Sequence, residues 1–90
     1  MDRGDEMKDK LLKDIKEVLM KGDRHGVAEL TTQALEAGLS IRDIIDHGLV
    51  AGMEIIGTKF KANEIFIPEV LISAKAMHSG MAVLEPHFLK

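Results

Sequence analysis

Apolar side chains recur along this chain at the three- and four-residue intervals of an α-helix, and the residues between them are mostly charged. Met7, Leu11, Ile15 and Val18, joined by Leu12 and Leu19, form a first stripe and predict a helix from about Asp5 to Lys21. Gly22 suits the C-terminal cap of that helix and Asp23 the N-cap of the next. Val27, Leu30, Thr31, Ala34 and Leu35 form the second stripe. It stops at Gly38, where a left-handed glycine followed by apolar Leu39 provides a helix-ending contact.

Ser40 with Asp43 resembles a capping box in which aspartate replaces the usual glutamate, and a third helix opens there. Its stripe of Ile41, Ile45, Leu49, Met53, Ile56 and Phe60 is the longest in the chain, and Ile44 broadens it. Pro68 at a first helical position opens the fourth helix, which continues to about Leu84 before Pro86 ends it. Two of the three connections are only a few residues long, which forces antiparallel neighbours. The third, residues 61–67, is longer and apolar. No strand-like alternation, internal repeat or low-complexity stretch appears. The predicted fold class is all-α, an antiparallel four-helix bundle with residues 1–90 as one domain and a frayed, charged N-terminus.

Composition narrows the chemistry. Ninety residues bury a single small core with little margin. The absence of cysteine excludes a disulfide scaffold, a thiolate zinc site and a catalytic thiol, and it fits a reducing cytoplasm. A net charge of −3 with three phenylalanines as the only aromatics argues against a nucleic-acid surface, which needs a basic stripe and stacking rings. The opening MDRGDEMKDK has no apolar centre and is no signal peptide, and no stretch approaches the roughly 18 apolar residues of a membrane span. Six methionines and no tyrosine or tryptophan predict an aliphatic core of adaptable shape.

Three features exceed what a bundle requires. Phe60 closes the third helix, and Ile65, Phe66 and Ile67 crowd the connector before Pro68, so large apolar residues gather where connections are normally polar. Gly48, Gly52 and Gly57 lie inside the third helix, where each costs about 0.5–1 kcal/mol relative to alanine. Close helix packing is one use for them, and close approach of a ligand is the other. The fourth helix is apolar on two faces: Val70, Ala74, Met77, Met81 and Leu84 share one, and Ile72, Ala76, Gly80 and Val83 the other. Central placement or a homodimer interface accounts for two such faces. So does a surface of Phe60, Ile67 and Val70 that covers a planar macrocycle.

The wording of this region is specific. Val50-Ala51-Gly52-Met53-x-x-Ile56-Gly57-x-x-Phe60, then Phe66-Ile67-Pro68-Glu69-Val70-Leu71 and Ala74-x-Ala76-Met77, resembles the helical cap of corrinoid (cobalamin) binding proteins. The relatives are the cap of cobalamin-dependent methionine synthase and the small corrinoid carriers of anaerobic methyltransferase systems. The likeness runs from about Ile41 to Phe88 and continues more weakly upstream. It implies that Phe60, Ile67 and Val70 shield the upper face of the corrin ring, where the methyl group resides on cobalt. Leu71, Ala74 and Met77 are secondary candidates from helix geometry alone.

The resemblance also implies a role without catalysis. An apolar lid keeps water, protons and oxygen from a weak cobalt–methyl bond and from nucleophilic cobalt(I), and it swings aside for partner methyltransferase proteins. In these proteins a following α/β domain holds most of the cobalamin and supplies the lower cobalt ligand from an Asp-x-His-x-x-Gly motif. Asp46-His47-Gly48 has the wrong spacing for that motif and lies within a helix. The 90 residues are therefore expected to be the cap of a longer protein, with the α/β domain absent from this chain.

The polar residues add no catalytic constellation. His25 and His87 fall near helix ends, and His47 and His78 sit on different helices without a Glu-x-x-His partner, so no metal-ligand set emerges. Ordinary surface or partly buried histidine is the expected reading of all four, with contact between a corrin amide and His78, at the edge of the Val70 and Met77 face, as the lesser alternative. Asn63 and Glu64 suit either hydrogen bonds to corrin side chains or turn formation and helix capping. The first helix reads as a solvated face with pairs such as Lys13 and Glu17. The alternative function is a helical interaction or dimerisation module, including that of a cobalamin-dependent sensor. Light-sensing relatives place a tryptophan over cobalt, and this chain has none.

Overall fold

A computed structural model describes residues 3–88. The chain forms helix α1 (Arg3–Met20), helix α2 (Arg24–Glu36), a composite third helix and a long fourth helix α4 (Ile67–Phe88). The third helix, α3, is α-helical over Ile41–Ile44, π-helical over Ile45–Val50 and α-helical again over Ala51–Lys61. The expected all-α four-helix bundle is what forms. The main contacts pack α1 on α2 and α3, and α4 on α2 and α3, with smaller ones between α1 and α4 and between α2 and α3. The extents are 38 × 32 × 18 Å, so the domain is two helix layers thick.

All three connections end their helices in the same way. Gly22 (φ 75°), Gly38 (φ 89°) and Asn63 (φ 62°) take the left-handed conformation one residue past the helix cap. Each is followed by a residue whose N–H returns to the last turn: Asp23 to the Val18 carbonyl at 2.9 Å, Leu39 to Ala34 at 3.0 Å, and Glu64 to Lys59 at 2.9 Å. After the first two connections the next helix starts at once, whereas α4 begins only at Ile67. Asp23 accepts the Gly26 N–H at 2.9 Å and Ser40 accepts the Asp43 N–H at 3.0 Å, so both expected N-caps are in place.

Ile15 and Leu19 of α1, Val27 and Ala34 of α2, Leu39, Ile44 and Leu49 before and within α3, and Ala76 and Leu84 of α4 form the core. Two glycines let helices approach closely. A Cβ on Gly48 would lie 3.3 Å from Ile15 Cγ2, and one on Gly52 would lie 3.0 Å from Leu19 Cδ2. Close packing of α3 on α1 is thus the use of these two.

Several expectations need correction. The first helix begins at Arg3, before Asp5, and the frayed terminus falls in part on Met1 and Asp2, outside the described residues. Met7 is exposed, because the packed part of α1 starts at Leu11. Among the described residues the ion pair on this helix joins Lys10 and Asp14 at 2.8 Å, and that contact raises the Lys10 pKa. Pro86 does not end α4, which runs through it to Phe88. A proline's φ is already helical, and so near the helix end it forfeits one hydrogen bond without stopping the chain. Pro68 is the second helical residue, behind Ile67.

The two apolar faces expected on α4 are the flanks of its contact surface. Leu84 of the first face and Ala76 and Gly80 of the second are buried where the two meet, with Ser73 beside them. The Ser73 hydroxyl donates to the Met20 carbonyl at 3.4 Å, and the Ser79 hydroxyl lies 2.9 Å from the Arg24 carbonyl and 2.7 Å from that of Ala76. These hydroxyls tie α4 to the end of α1 and the start of α2.

Candidate functional site

The site is built where α3 hands the chain to α4. Past Phe60 the helix ends because Asn63, in the left-handed region, returns its N–H to the Phe60 carbonyl at 3.1 Å. Asparagine is among the few residues that enter that region readily. Phe66 is the N-cap of α4 and has no polar side chain to offer, so the carboxylate of Glu69 reaches back and accepts the Phe66 N–H at 3.1 Å. This is the glutamate half of a capping box. Asn63 and Glu69 therefore lock both ends of the connector, and capping explains Asn63.

This reversal puts apolar side chains into solvent. Phe60 is 42% exposed, Ile67 60%, Phe66 67% and Leu71 56%, whereas Ile65 and Val70 are half-buried. Ile65 turns inward and lines a cleft of about 290 Å³ with Met20, Ile56 and Ile72. Ala74 and Met77 are half-buried along α4, and His78 is exposed. Of the three residues expected to shield a ligand, Phe60 and Ile67 are exposed and Val70 is half-buried, outside the residues packed on the core. Phe66 is the most exposed large apolar residue of the described set, and the sequence reading gave it no ligand role. Its place before a proline-started helix was the available signal.

Among the described residues no group of three His, Asp or Glu side chains is placed to hold a metal. Phe60, Phe66, Ile67 and Leu71 are exposed apolar residues that this helix–connector–helix unit presents. Such a surface can cover an apolar partner and exclude water from it.

Residues 11–85 match the family model described as B12 binding domain. The chain belongs to that family. This B12 binding domain is 42% identical over 80 residues to a corrinoid protein of Desulfitobacterium hafniense, covering 89% of this chain and 37% of the relative. It is 53% identical over 68 residues to monomethylamine corrinoid protein 1 of Methanosarcina mazei, covering 76% of this chain and 31% of the relative. A solved structure of the Methanosarcina barkeri monomethylamine corrinoid protein superposes with a TM-score of 0.83 at 40% identity, covering 87% of this chain and 37% of that one. The chain thus spans about a third of the length of the relatives it matches. No helix among the described residues is long and apolar enough to cross a membrane.

Proposed function

We propose that this B12 binding domain is the cap of a cytoplasmic corrinoid carrier protein, laid over the upper face of a cobalamin that a following α/β domain holds. The observation that carries this reading is the solvent-facing apolar end formed by Phe60 and Ile67 with half-buried Val70, in a domain of this family. The residues suit the group: they are apolar, they belong to one helix–connector–helix unit, and none is a metal ligand, as befits a surface that touches a macrocycle without binding its cobalt. A bound corrinoid supplies a cobalt centre that accepts and releases a methyl group.

Everything this chain contributes is exclusion and access. Phe60, Ile67 and Val70 keep water, protons and oxygen from the covered face. Phe60 and Ile67 are exposed while the core is closed without them, so the cap lifts and resettles without unfolding the bundle. Methyltransferase proteins that load and unload the carrier are the partners that require it to lift. No residue here acts as acid, base or nucleophile, and the domain works without catalysing a reaction.

The test is the absorption spectrum and air-oxidation rate of the intact carrier reconstituted with hydroxocobalamin and reduced. Phe60→Ala should bind as much corrinoid as the parent and lose its reduced form to oxygen several-fold faster. An unchanged oxidation rate in Phe60→Ala and in Ile67→Ala would remove the shielding role. A colourless, tight homodimer would favour the interaction module instead.

A further inference from the structure

Two of the three interior glycines of α3 are accounted for inside the domain, against Ile15 and Leu19. Gly57 is not. A Cβ built on it meets nothing within 4 Å among the described residues, although the position is half-buried. Its backbone does not need glycine either, because the positive-φ glycines are Gly22 and Gly38. Alanine would be the more stable choice in the Ala51–Lys61 helix, so neither packing nor conformation explains this residue.

Its position points outward. Five residues after Gly52, Gly57 is turned about 140° from the face that meets α1. It stands three residues before Phe60, a spacing that makes the two surface neighbours. Open backbone thus lies one helical turn before Phe60 on the neighbouring strip of helix surface, with the phenylalanine ring more than 4 Å from the Cβ position.

We infer that Gly57 is a close-approach position, where bare helix backbone admits the edge of the corrin macrocycle next to Phe60. This rests on the cap reading and adds a positioning residue to it: Phe60 covers the ring, and the missing side chain at Gly57 sets how near the third helix comes. A Cβ there meets nothing within 4 Å in the free domain, and a side chain built on it would wedge the closed cap away from the cofactor.

The experiment uses the intact carrier loaded with hydroxocobalamin and takes cyanide as the probe of access to the upper cobalt face. Cyanide ligation is followed by absorbance in stopped flow, and the melting temperature of the corrinoid-free protein is recorded in parallel. Gly57→Leu should accelerate cyanide ligation about tenfold, equivalent to about 1.4 kcal/mol of lost cap docking. Gly57→Ala should fall between it and the parent, and neither should lower the melting temperature. Parent-like ligation in Gly57→Leu alongside faster ligation in Phe60→Ala overturns the role of Gly57 and leaves the cap reading standing. Parent-like ligation in both overturns the cap reading itself. A lower melting temperature in Gly57→Ala shows an internal packing role and also overturns the inference.

Discussion

Gly80 of α4 lies so close to Leu49 of the π-helical segment that a Cβ added to the glycine would stand 2.9 Å from Leu49 Cδ2, and also 2.9 Å from Val27 Cγ1. Leu49 and Val27 are both fully buried, so neither has free space to withdraw into. The bare backbone at Gly80 is thus the point where α4 seats against α2 and α3 together.

Gly80→Ala sets two effects against each other. Helix propensity favours alanine by up to about 1 kcal/mol, and overpacking a closed core costs about 1–3 kcal/mol. Packing wins, with a net loss of about 1 kcal/mol and a fall in melting temperature of roughly 4–8 °C for a domain of this size. Gly57→Ala, which meets no neighbour, should instead raise it. Thermal unfolding followed by circular dichroism checks both, and a stabilised Gly80→Ala would refute the packing argument.

Helix number, order and most ends were legible because each is written locally: an apolar stripe, a left-handed residue, a capping side chain. Gly38 with Leu39, Asp23 and Ser40 all act as their residue types predict. The π segment was not anticipated, yet Ile41, Ile45, Leu49 and Met53 repeat strictly every four residues. That spacing drifts around a helix of 3.6 residues per turn and suits a locally wider one. Ser73 escaped notice because its burial depends on the Met20 carbonyl opposite, which no local pattern encodes. The candidate site was legible as an excess of apolar residues where polar ones are expected. The difference between Gly57 and its two sister glycines required three-dimensional neighbours.

Thr31 is fully buried in α2, and its hydroxyl is without a hydrogen-bond partner among the described residues. Thr32, one residue on, satisfies its own by donating to the Ala28 carbonyl at 2.9 Å. Valine has the shape of threonine without the polar atom. Thr31→Val should therefore stabilise the domain by about 1 kcal/mol, since an unmade buried hydrogen bond costs about 1–3 kcal/mol. Chemical denaturation should show a higher midpoint at unchanged slope. A lower midpoint would mean that the hydroxyl is satisfied.

Asn63 holds the reversal between Phe60 and α4 in a conformation that costs most L-residues about 1–2 kcal/mol. Asn63→Gly should equal or exceed the parent in stability, and Asn63→Val should lose about 1–2 kcal/mol. Because the strain falls between Phe60 and Ile67, the valine variant should also disturb the apolar end. Amide hydrogen exchange would show this as faster exchange at Asn63 and Glu64, whose N–H groups close the turn. Equal protection in Asn63→Val and the parent would contradict the assignment.

Phe60, Ile67 and Val70 should separate stability from shielding in a graded way. Truncating a buried phenylalanine costs about 3–5 kcal/mol, but the fold draws little from a side chain that is already 42% exposed, and less from Ile67 at 60%. Phe60→Ala and Ile67→Ala should thus lower the melting temperature of the isolated chain by only a few degrees, about 1 kcal/mol or less. Val70, which is half-buried, should cost more per carbon removed. In the corrinoid-loaded carrier the order should reverse, with Phe60→Ala and Ile67→Ala showing the larger gain in solvent access to the cofactor. If instead these two variants unfold the domain as readily as truncation of Leu49 does, the exposed residues belong to the core's account and not to a ligand's.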